Sequence, residues 1–256
     1  MTASLWDMHV HLDLMRDARG VAREAERVGL GMLAVTVTPD GYERAAKALS
    51  GRANVRVGVG LHPWWVADGR CGAGDVARAA ELARRARFVG EVGLDLSGSH
   101  VPDGSLDVQV AAFEVVAGAC AETSDVRTPK VLSLHSVRTA SIMLDVLERT
   151  GCLASCACVF HWFSGTGDEL HRAVRAGCHF SVNEMMLRTR RGREYARQLP
   201  AERLLLETDL PPGEDASCTA RDILASLERA AGQLGTIRGT DMRAVTRDNA
   251  ERLLGR

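Results

Sequence analysis

The chain has 256 residues, enough for one α/β barrel or for two small domains. A hydrophobic content of 46% with 25% charged residues is that of a soluble globular protein with a sizeable core. The net charge of −1 provides no global basic field toward nucleic acid or membrane, so any phosphate recognition has to be local.

The first informative run is Leu5–Trp6–Asp7–Met8–His9–Val10–His11. On a strand, residues two apart point to one face, so Asp7, His9 and His11 would project together. On a helix, His9 and His11 would lie on nearly opposite sides. His-x-His on a strand is therefore a way to place two imidazoles on one metal ion. Asp7 and His9 also stand where a signal peptide needs an apolar run, and no segment approaches transmembrane length. A cytoplasmic protein that does not engage a membrane is expected.

Further along, apolar and β-branched runs alternate with Ala/Arg/Glu-rich amphipathic stretches. The patterning predicts strands at 5–11, 31–37, 55–61, 88–94, 130–135, 157–161, 179–183 and 203–208. Helices are expected near 20–29, 40–50, 74–86, 105–124, 138–150, 167–176, 189–198, 217–234 and 241–254. Eight strands separated by helices suggest βα units and a parallel sheet. No composition break divides the chain, so a single domain over 1–256 is expected. Its fold class is α/β, a (β/α)8 TIM barrel, with an open doubly wound sheet as the alternative.

Polar residues gather at the C-terminal ends of these strands. The third ends in Gly60–Leu61–His62–Pro63, and the fourth carries Glu91 and Asp95 in Gly90–Glu91–Val92–Gly93–Leu94–Asp95. The fifth ends in His135–Ser136, the sixth in His161–Trp162–Phe163–Ser164–Gly165, and the eighth in Glu207–Thr208–Asp209. In a barrel these ends converge on one face, where active sites are built. A lone histidine there would be a packing or capping residue. Five histidines with several carboxylates are costly to bury together unless a cation compensates them.

The seven cysteines, at 71, 120, 152, 156, 158, 178 and 218, are expected to be reduced thiols. Cys152, Cys156 and Cys158 cluster but lack a second ligand pair at zinc-finger spacing, and read as buried small residues at a strand start. Basic residues are nearly all Arg, with Lys only at 47 and 130.

With these residues in view, the sequence resembles the TatD-related hydrolases, a branch of the metal-dependent amidohydrolase-like barrels. The resemblance rests on D-x-H-x-H-L at 7–12, G-L-H-P at 60–63, G-E-V-G-L-D at 90–95 and H-S at 135–136. It continues through H-W-F-S-G at 161–165, E-T-D-x-P at 207–211 and N-A-E-R-L-L at 249–254. It implies a (β/α)8 hydrolase using metal-activated water, most simply an exo-type deoxyribonuclease acting on DNA. His9 and His11 would hold one divalent ion, His135 and His161 a second, and Glu91 would bridge them. Asp209 would complete the first ion's shell and take the proton of the attacking water. One or two ions are implied, with Mg, Mn and Zn all compatible with the donor set.

His62 is the candidate for contacting the scissile phosphate or protonating the leaving oxygen; the alternative is an imidazole that holds a neighbouring loop. Asp7, Asp95 and Glu207 are expected to orient ligands by hydrogen bonds, with direct ligation by Asp7 the lesser option. Trp64, Trp65, Trp162 and Phe163 could stack on bases or pack at the rim, the latter ranking first for Phe163. Ser164, Arg138, Arg188 and Arg191 are candidates for substrate contact, against the plain reading of an arginine run as a solvated helix start.

His161–Trp162–Phe163, Thr36–Val37–Thr38–Pro39 and the arginine run at 188–193 also resemble the TatD-like component of Qat anti-phage defence clusters. That likeness implies protein partners in a defence complex. Two departures stand out. The family's longer loop with an Asn-Glu-Pro element after Glu-Thr-Asp is replaced by Pro211–Pro212–Gly213 and a quick entry into a helix. His135–Ser136 is followed by Val137–Arg138–Thr139 where Arg-Asp is common. Two rivals remain at this stage. One is an amide, lactone or D-aminoacyl ester hydrolase built on the same barrel chemistry. The other is a subunit that works only within a multiprotein assembly.

Overall fold

Short apolar runs that end at glycines or histidines become parallel strands, and the amphipathic runs between them become the covering helices. The computed structural model describes residues 3–214 and 216–255. The chain opens with β1 (Leu5–Val10), α1 (Ala18–Arg27), β2 (Leu30–Ala34) and α2 (Pro39–Ala48). It continues through β3 (Val55–Val57), β4 (Val59–Leu61), α3 (Pro63–Ala67), α4 (Ala73–Arg85) and β5 (Phe88–Asp95). Next come α5 (Leu106–Thr123), β6 (Val131–Val137), α6 (Ala140–Arg149), α7 (Cys152–Ser155) and β7 (Ala157–His161). The last third holds α8 (Gly167–Arg175), β8 (His179–Val182), α9 (Glu184–Arg188) and α10 (Arg190–Gln198). It closes with β9 (Leu204–Leu206), α11 (Ala220–Arg238) and α12 (Arg243–Leu254).

Local signals explain several boundaries. Thr38 caps α2 by accepting from the Gly41 amide, with Pro39 in the first turn. Thr166 with Glu169, and Thr219 with Asp222, close reciprocal capping pairs on α8 and α11. Gly239 ends α11 in the left-handed region, which a side chain would resist.

All adjacent strands pair in parallel, as β1–β2–β3 and as β4 through β9 in order. The expected strand at 55–61 is thus two pieces, broken at Gly58. A Cβ there would lie 2.9 Å from the Gly90 carbonyl oxygen, so the strand switches neighbours where its backbone crowds β5. The ladder continues across this break. Gly58 N donates to Ala34 O (2.8 Å), Thr36 N to Gly90 O (3.0 Å) and Glu91 N to Thr36 O (2.8 Å). On the other side, Asp209 N donates to His9 O (2.9 Å) and His11 N to Leu210 O (2.8 Å), joining the ends of β9 and β1. With β3 and β4 as halves of one strand, the architecture is the α/β (β/α)8 barrel rather than an open doubly wound sheet.

Two apolar clusters result. Trp6, Met8, Leu33, Val35, Val131, Val159 and Leu205 pack together inside the barrel with Ala250 and Leu254 of α12. Arg87, just before β5, donates to the Leu253 and Leu254 carbonyls and fastens α12 beneath the N-terminal ends of the strands. The larger cluster lies between the strands and the surrounding helices. Among the described residues, no helix is long and apolar enough to cross a membrane.

Candidate metal centre

Most functional side chains sit at or just past a strand end, with Glu91 midway along β5, and backbone detail sets their aim. Along β1 the register with β2 slips between Asp7 and Val10. The slip breaks the two-residue alternation. Trp6 and Met8 face the barrel interior, while His9 and His11 still reach the C-terminal mouth. Asp7 does not join them, contrary to the same-face expectation. Its Oδ1 accepts from His9 N (3.1 Å) and Thr208 N (3.0 Å), and its Oδ2 from Thr208 Oγ1 (2.5 Å). Asp7 therefore ties β1 to the end of β9 and is not a ligand in this arrangement. Burial pushes its carboxyl up to about 7, against those hydrogen bonds.

On β5, Gly93 has a positive φ, and a Cβ there would lie 2.0 Å from the His135 carbonyl oxygen. Only glycine lets β5 and β6 approach so closely. That approach sets Glu91 at the centre. Its Oε2 lies 3.5 Å from His9 Nε2 and 3.2 Å from His11 Nε2. Its Oε1 lies 2.6 Å from His135 Nδ1, 2.8 Å from His161 Nε2 and 3.3 Å from His62 Nε2. Asp209 Oδ1 stands 3.6 Å from His9 Nε2 and 3.5 Å from His11 Nε2. Burial raises the Asp209 carboxyl, but the His11 hydrogen bond and the His161 and His9 charges outweigh it and hold the group at about 2.

Three overlapping sets emerge: His9, His11 and Glu91; His9, His161 and Asp209; and His62, Glu91 and His135. Within each set the ligand atoms lie within 4.8 Å of one another. The donors fit divalent cations. His9 Nε2 is buried without a hydrogen-bond partner, although it points at two carboxylates. Burial drives the His9 imidazole down to about 4, so its nitrogen is available as a neutral ligand. Five imidazoles and two carboxylates in a largely dry pocket are a donor set for ions of the Zn, Mn or Mg kind.

Supporting hydrogen bonds fix the ligands' orientation. His9 Nδ1 meets Ser133 Oγ at 2.8 Å, and His135 Nε2 meets Asp95 Oδ2 at 2.8 Å. Asp95 Oδ1 also accepts from Ser97 N at 2.5 Å, and these partners hold Asp95 well below the usual carboxylate range despite burial. Glu207 is fully buried. It accepts from Trp162 N (3.0 Å), Asn183 Nδ2 (2.9 Å) and Ser181 Oγ, while burial and the nearby Asp209 push its carboxyl up. Arg138, Trp162 and Asp209, each just past a strand end, have positive φ values of 60°, 39° and 59°. Such conformations are held only by a well-determined surround and cluster at functional sites.

His62 holds the loop that follows it, one of the two readings its sequence position allows. Its Nδ1 accepts from Trp64 N (3.2 Å), capping α3, so the neutral ring carries its proton on Nε2. That Nε2–H faces Glu91 and the cavity. Burial lowers the His62 pKa.

The cavity above the cluster has a volume of about 470 Å3 and is walled by Trp64, Trp65, His100, Trp162, Ser164 and Pro212, among others. Trp64 is engaged within the protein. Its Nε1 donates to Asp95 Oδ2 (2.8 Å), and His100 stacks on its ring with centroids 4.2 Å apart. Trp65 lies under the Arg70 guanidinium at 4.0 Å. Phe163 is buried against Phe160, Phe180 and Tyr195. Trp162, in contrast, is 37% exposed at the rim. Arg191 reaches the Ser164 carbonyl at 3.4 Å, Arg188 pairs with Glu184, and Arg138 is exposed.

Sequence reasoning missed Ser133, Ser181, Asn183, Thr208 and His100. Ser133 had a readable signal, standing two residues before His135 on one strand and hence on the same face. The others become neighbours of the site only through register and loop path.

A model of the TatD related DNase family matches residues 6–255. The chain belongs to this family. It is 32% identical to an uncharacterized metal-dependent hydrolase TatD of Mycobacterium tuberculosis, across 97% of each chain. A 3'-5' ssDNA/RNA exonuclease TatD of Enterobacter lignolyticus is 27% identical, over 81% of this chain and 79% of that one. Among solved structures, the TatD homolog YJJV of Escherichia coli superposes with a TM-score of 0.80 at 22% identity, covering 99% and 98% of the two chains. That likeness supports the barrel itself. As a TatD-family member the protein is a metal-dependent hydrolase.

Proposed function

We propose that the protein is a deoxyribonuclease that shortens DNA from a strand end, a single hydrolase unit over residues 1–256 working in the cytoplasm. One or two divalent ions, Mg, Mn or Zn, would be held by His9, His11, Glu91, His135, His161 and Asp209. One observation carries the reading: five imidazoles and two carboxylates meet at the barrel mouth beneath a cavity of about 470 Å3. Divalent ions in such a cluster polarise phosphoryl oxygens and ease the deprotonation of water.

The chain's own residues do the rest. Asp209 is the carboxylate that water can reach, its side chain 24% exposed against 3% for Glu91, so Asp209 takes the proton of the attacking water. Glu91, central and dry, sets the spacing of the imidazoles around it. His62 presents a fixed Nε2–H to the scissile phosphate or the leaving oxygen. Asp7, Asp95 and Glu207 hold strand ends and ligand rings in place. Trp162 offers a ring face at the rim, and Ser164, Arg138, Arg188 and Arg191 would meet backbone phosphates, Arg188 by exchanging its pairing with Glu184. Family membership favours phosphodiesters over amide, lactone or D-aminoacyl bonds. Relatives named as 3'-5' ssDNA/RNA exonucleases support attack on single strands from the 3′ end.

The test is cleavage of end-labelled single- and double-stranded DNA with Mg, Mn or Zn, beside Asp209→Asn. Metal-dependent laddering from the 3′ end is expected, with turnover reduced roughly a hundredfold or more in the variant, the scale of losing a positioned base. Intact DNA from protein that demonstrably holds metal would overturn the proposal. Protein partners in a defence complex are proposed on the resemblance alone. A partner co-purifying in fixed ratio with the tagged chain is expected, and recovery of the chain by itself would sink the idea.

A further inference from the structure

At the N-terminal side of the barrel, far along β7 from His161, lies a second chemically distinctive cluster. Cys152 opens α7 and Cys156 directly follows it, with Cys156 N donating to Cys152 O. Their sulfurs stand 4.0 Å apart. One helical turn separates the two α-carbons by roughly 6 Å, inside the span a disulfide bridges. Cys152 is fully buried, its sulfur 3.1 Å from the Ala117 carbonyl of α5. Cys156 is half-buried, in contrast to its fully buried partner.

The surroundings of Cys156 are polar. Ser155 Oγ lies 3.6 Å from its sulfur, and Ser124 and the Lys130 ammonium stand nearby. Lys130 is buried and held by the Arg84 and Ala86 carbonyls at 3.1 and 2.5 Å, so its charge cannot swing away. Hydrogen bonding from Cys152, helped by Ser155, Ser124 and Lys130, brings the Cys156 thiol down to about 6 against its burial. The other cysteines differ. Burial pushes Cys120 and Cys178 up to about 12, and Cys71 and Cys218 to about 11.

We propose that Cys156 and Cys152 form an oxidisable thiol pair, a modification site for hydroperoxides in which Cys156 is the attacking sulfur and Cys152 the resolving one. The Cys156 sulfur attacks one peroxide oxygen, the O–O bond breaks, and the departing oxygen leaves as water or alcohol with the thiol's proton. Cys156 becomes a sulfenic acid. The Cys152 sulfur then attacks the Cys156 sulfur, its proton passes to the sulfenic hydroxyl, and water leaves as the S–S bond forms. The two thiols lose two hydrogens and the peroxide is reduced.

The experiment treats the full-length, metal-loaded protein with hydrogen peroxide at pH 7, followed by intact-mass and fragmentation mass spectrometry. A single internal disulfide between Cys152 and Cys156 is expected. Cys152→Ser should stop at a sulfenic acid on Cys156 that a 1,3-dione captures. Cys156→Ser should leave Cys152 reduced with no internal disulfide, and Cys158→Ser should leave the Cys152–Cys156 bond forming at an unchanged rate. Alkylation of the unmutated protein gives a reading independent of any variant's folding. Cys156 should react at least about tenfold faster than Cys218. Equal rates at those two cysteines, or peroxide oxidation that yields a different disulfide and leaves Cys156 reduced, would overturn the proposal.

Discussion

The two ends of the same strands have opposite chemistry. On β6 and β7 the N-terminal halves contribute Val131 and Val159 to a dry cluster shared with Trp6, Met8 and Leu205, sealed from below by α12. A few residues on, the same strands end in His135 and His161, packed around Glu91. The lower half is satisfied by apolar burial alone. The upper half buries ionisable groups, leaves His9 Nε2 without a hydrogen-bond partner, and holds three non-glycine residues at positive φ. One end lends stability and the other spends part of it on a preorganised site.

Substitutions at the two ends should therefore separate stability from activity. The largest effect is expected below: Leu205→Ala, in the interior cluster, should cost roughly 2–5 kcal/mol in denaturant unfolding while leaving turnover of the folded fraction unchanged. A comparable loss of turnover in the folded fraction would mean that the two ends are not independent.

His179, at the start of β8, extends the comparison to pH. Burial, with the Arg203 and Arg252 charges, lowers its pKa from 6.5 to about 4. A histidine held neutral contributes stability that is fully present above pH 6.5 and is lost as pH falls toward 4. At about 1.4 kcal/mol per unit the loss is about 3 kcal/mol by pH 4. His179→Gln should flatten the fall in melting temperature over that window by the corresponding amount. An unchanged slope would assign the acid sensitivity to the metal end instead.

At the upper end, Asp95→Asn leaves the shape of the His135–Asp95–Trp64 chain but removes its charge. Metal affinity by competition with a chelator should fall about ten- to a hundredfold, with little change in unfolding free energy. The smallest effect belongs to the rim. Trp162→Ala should raise KM for single-stranded DNA roughly tenfold with kcat nearly unchanged, the scale of one lost stacking contact. A fall in kcat instead would show that Trp162 serves the left-handed turn beside Glu207 rather than a base.

Much of the upper end was legible because strand-end chemistry is written in single residues behind apolar runs. Glu91, His135, His161 and Asp209 could be placed at the barrel mouth from pattern alone. Only the same-face grouping of Asp7 with His9 and His11 failed, because alternation assumes an unbroken strand and the slip between Asp7 and Val10 turns that side chain toward Thr208, where it accepts hydrogen bonds. The run at 55–61 read as one strand because its break depends on contact between Gly58 and Gly90, far apart in sequence. The short helices α3, α7 and α9 span too few residues to show a helical period. Trp64's engagement with Asp95 and His100 likewise depends on loop path.

The joint between β1 and β9 has a consequence for synthesis. His9 and His11 are made long before Thr208 and Asp209, which come only after β9. Until then Asp7 lacks the partner that pins β1, and the ion cluster lacks a carboxylate. A nascent chain would therefore present His9, His11 and Glu91 before Asp209 exists, so the set that includes Asp209 can close only once the end of β9 has been made.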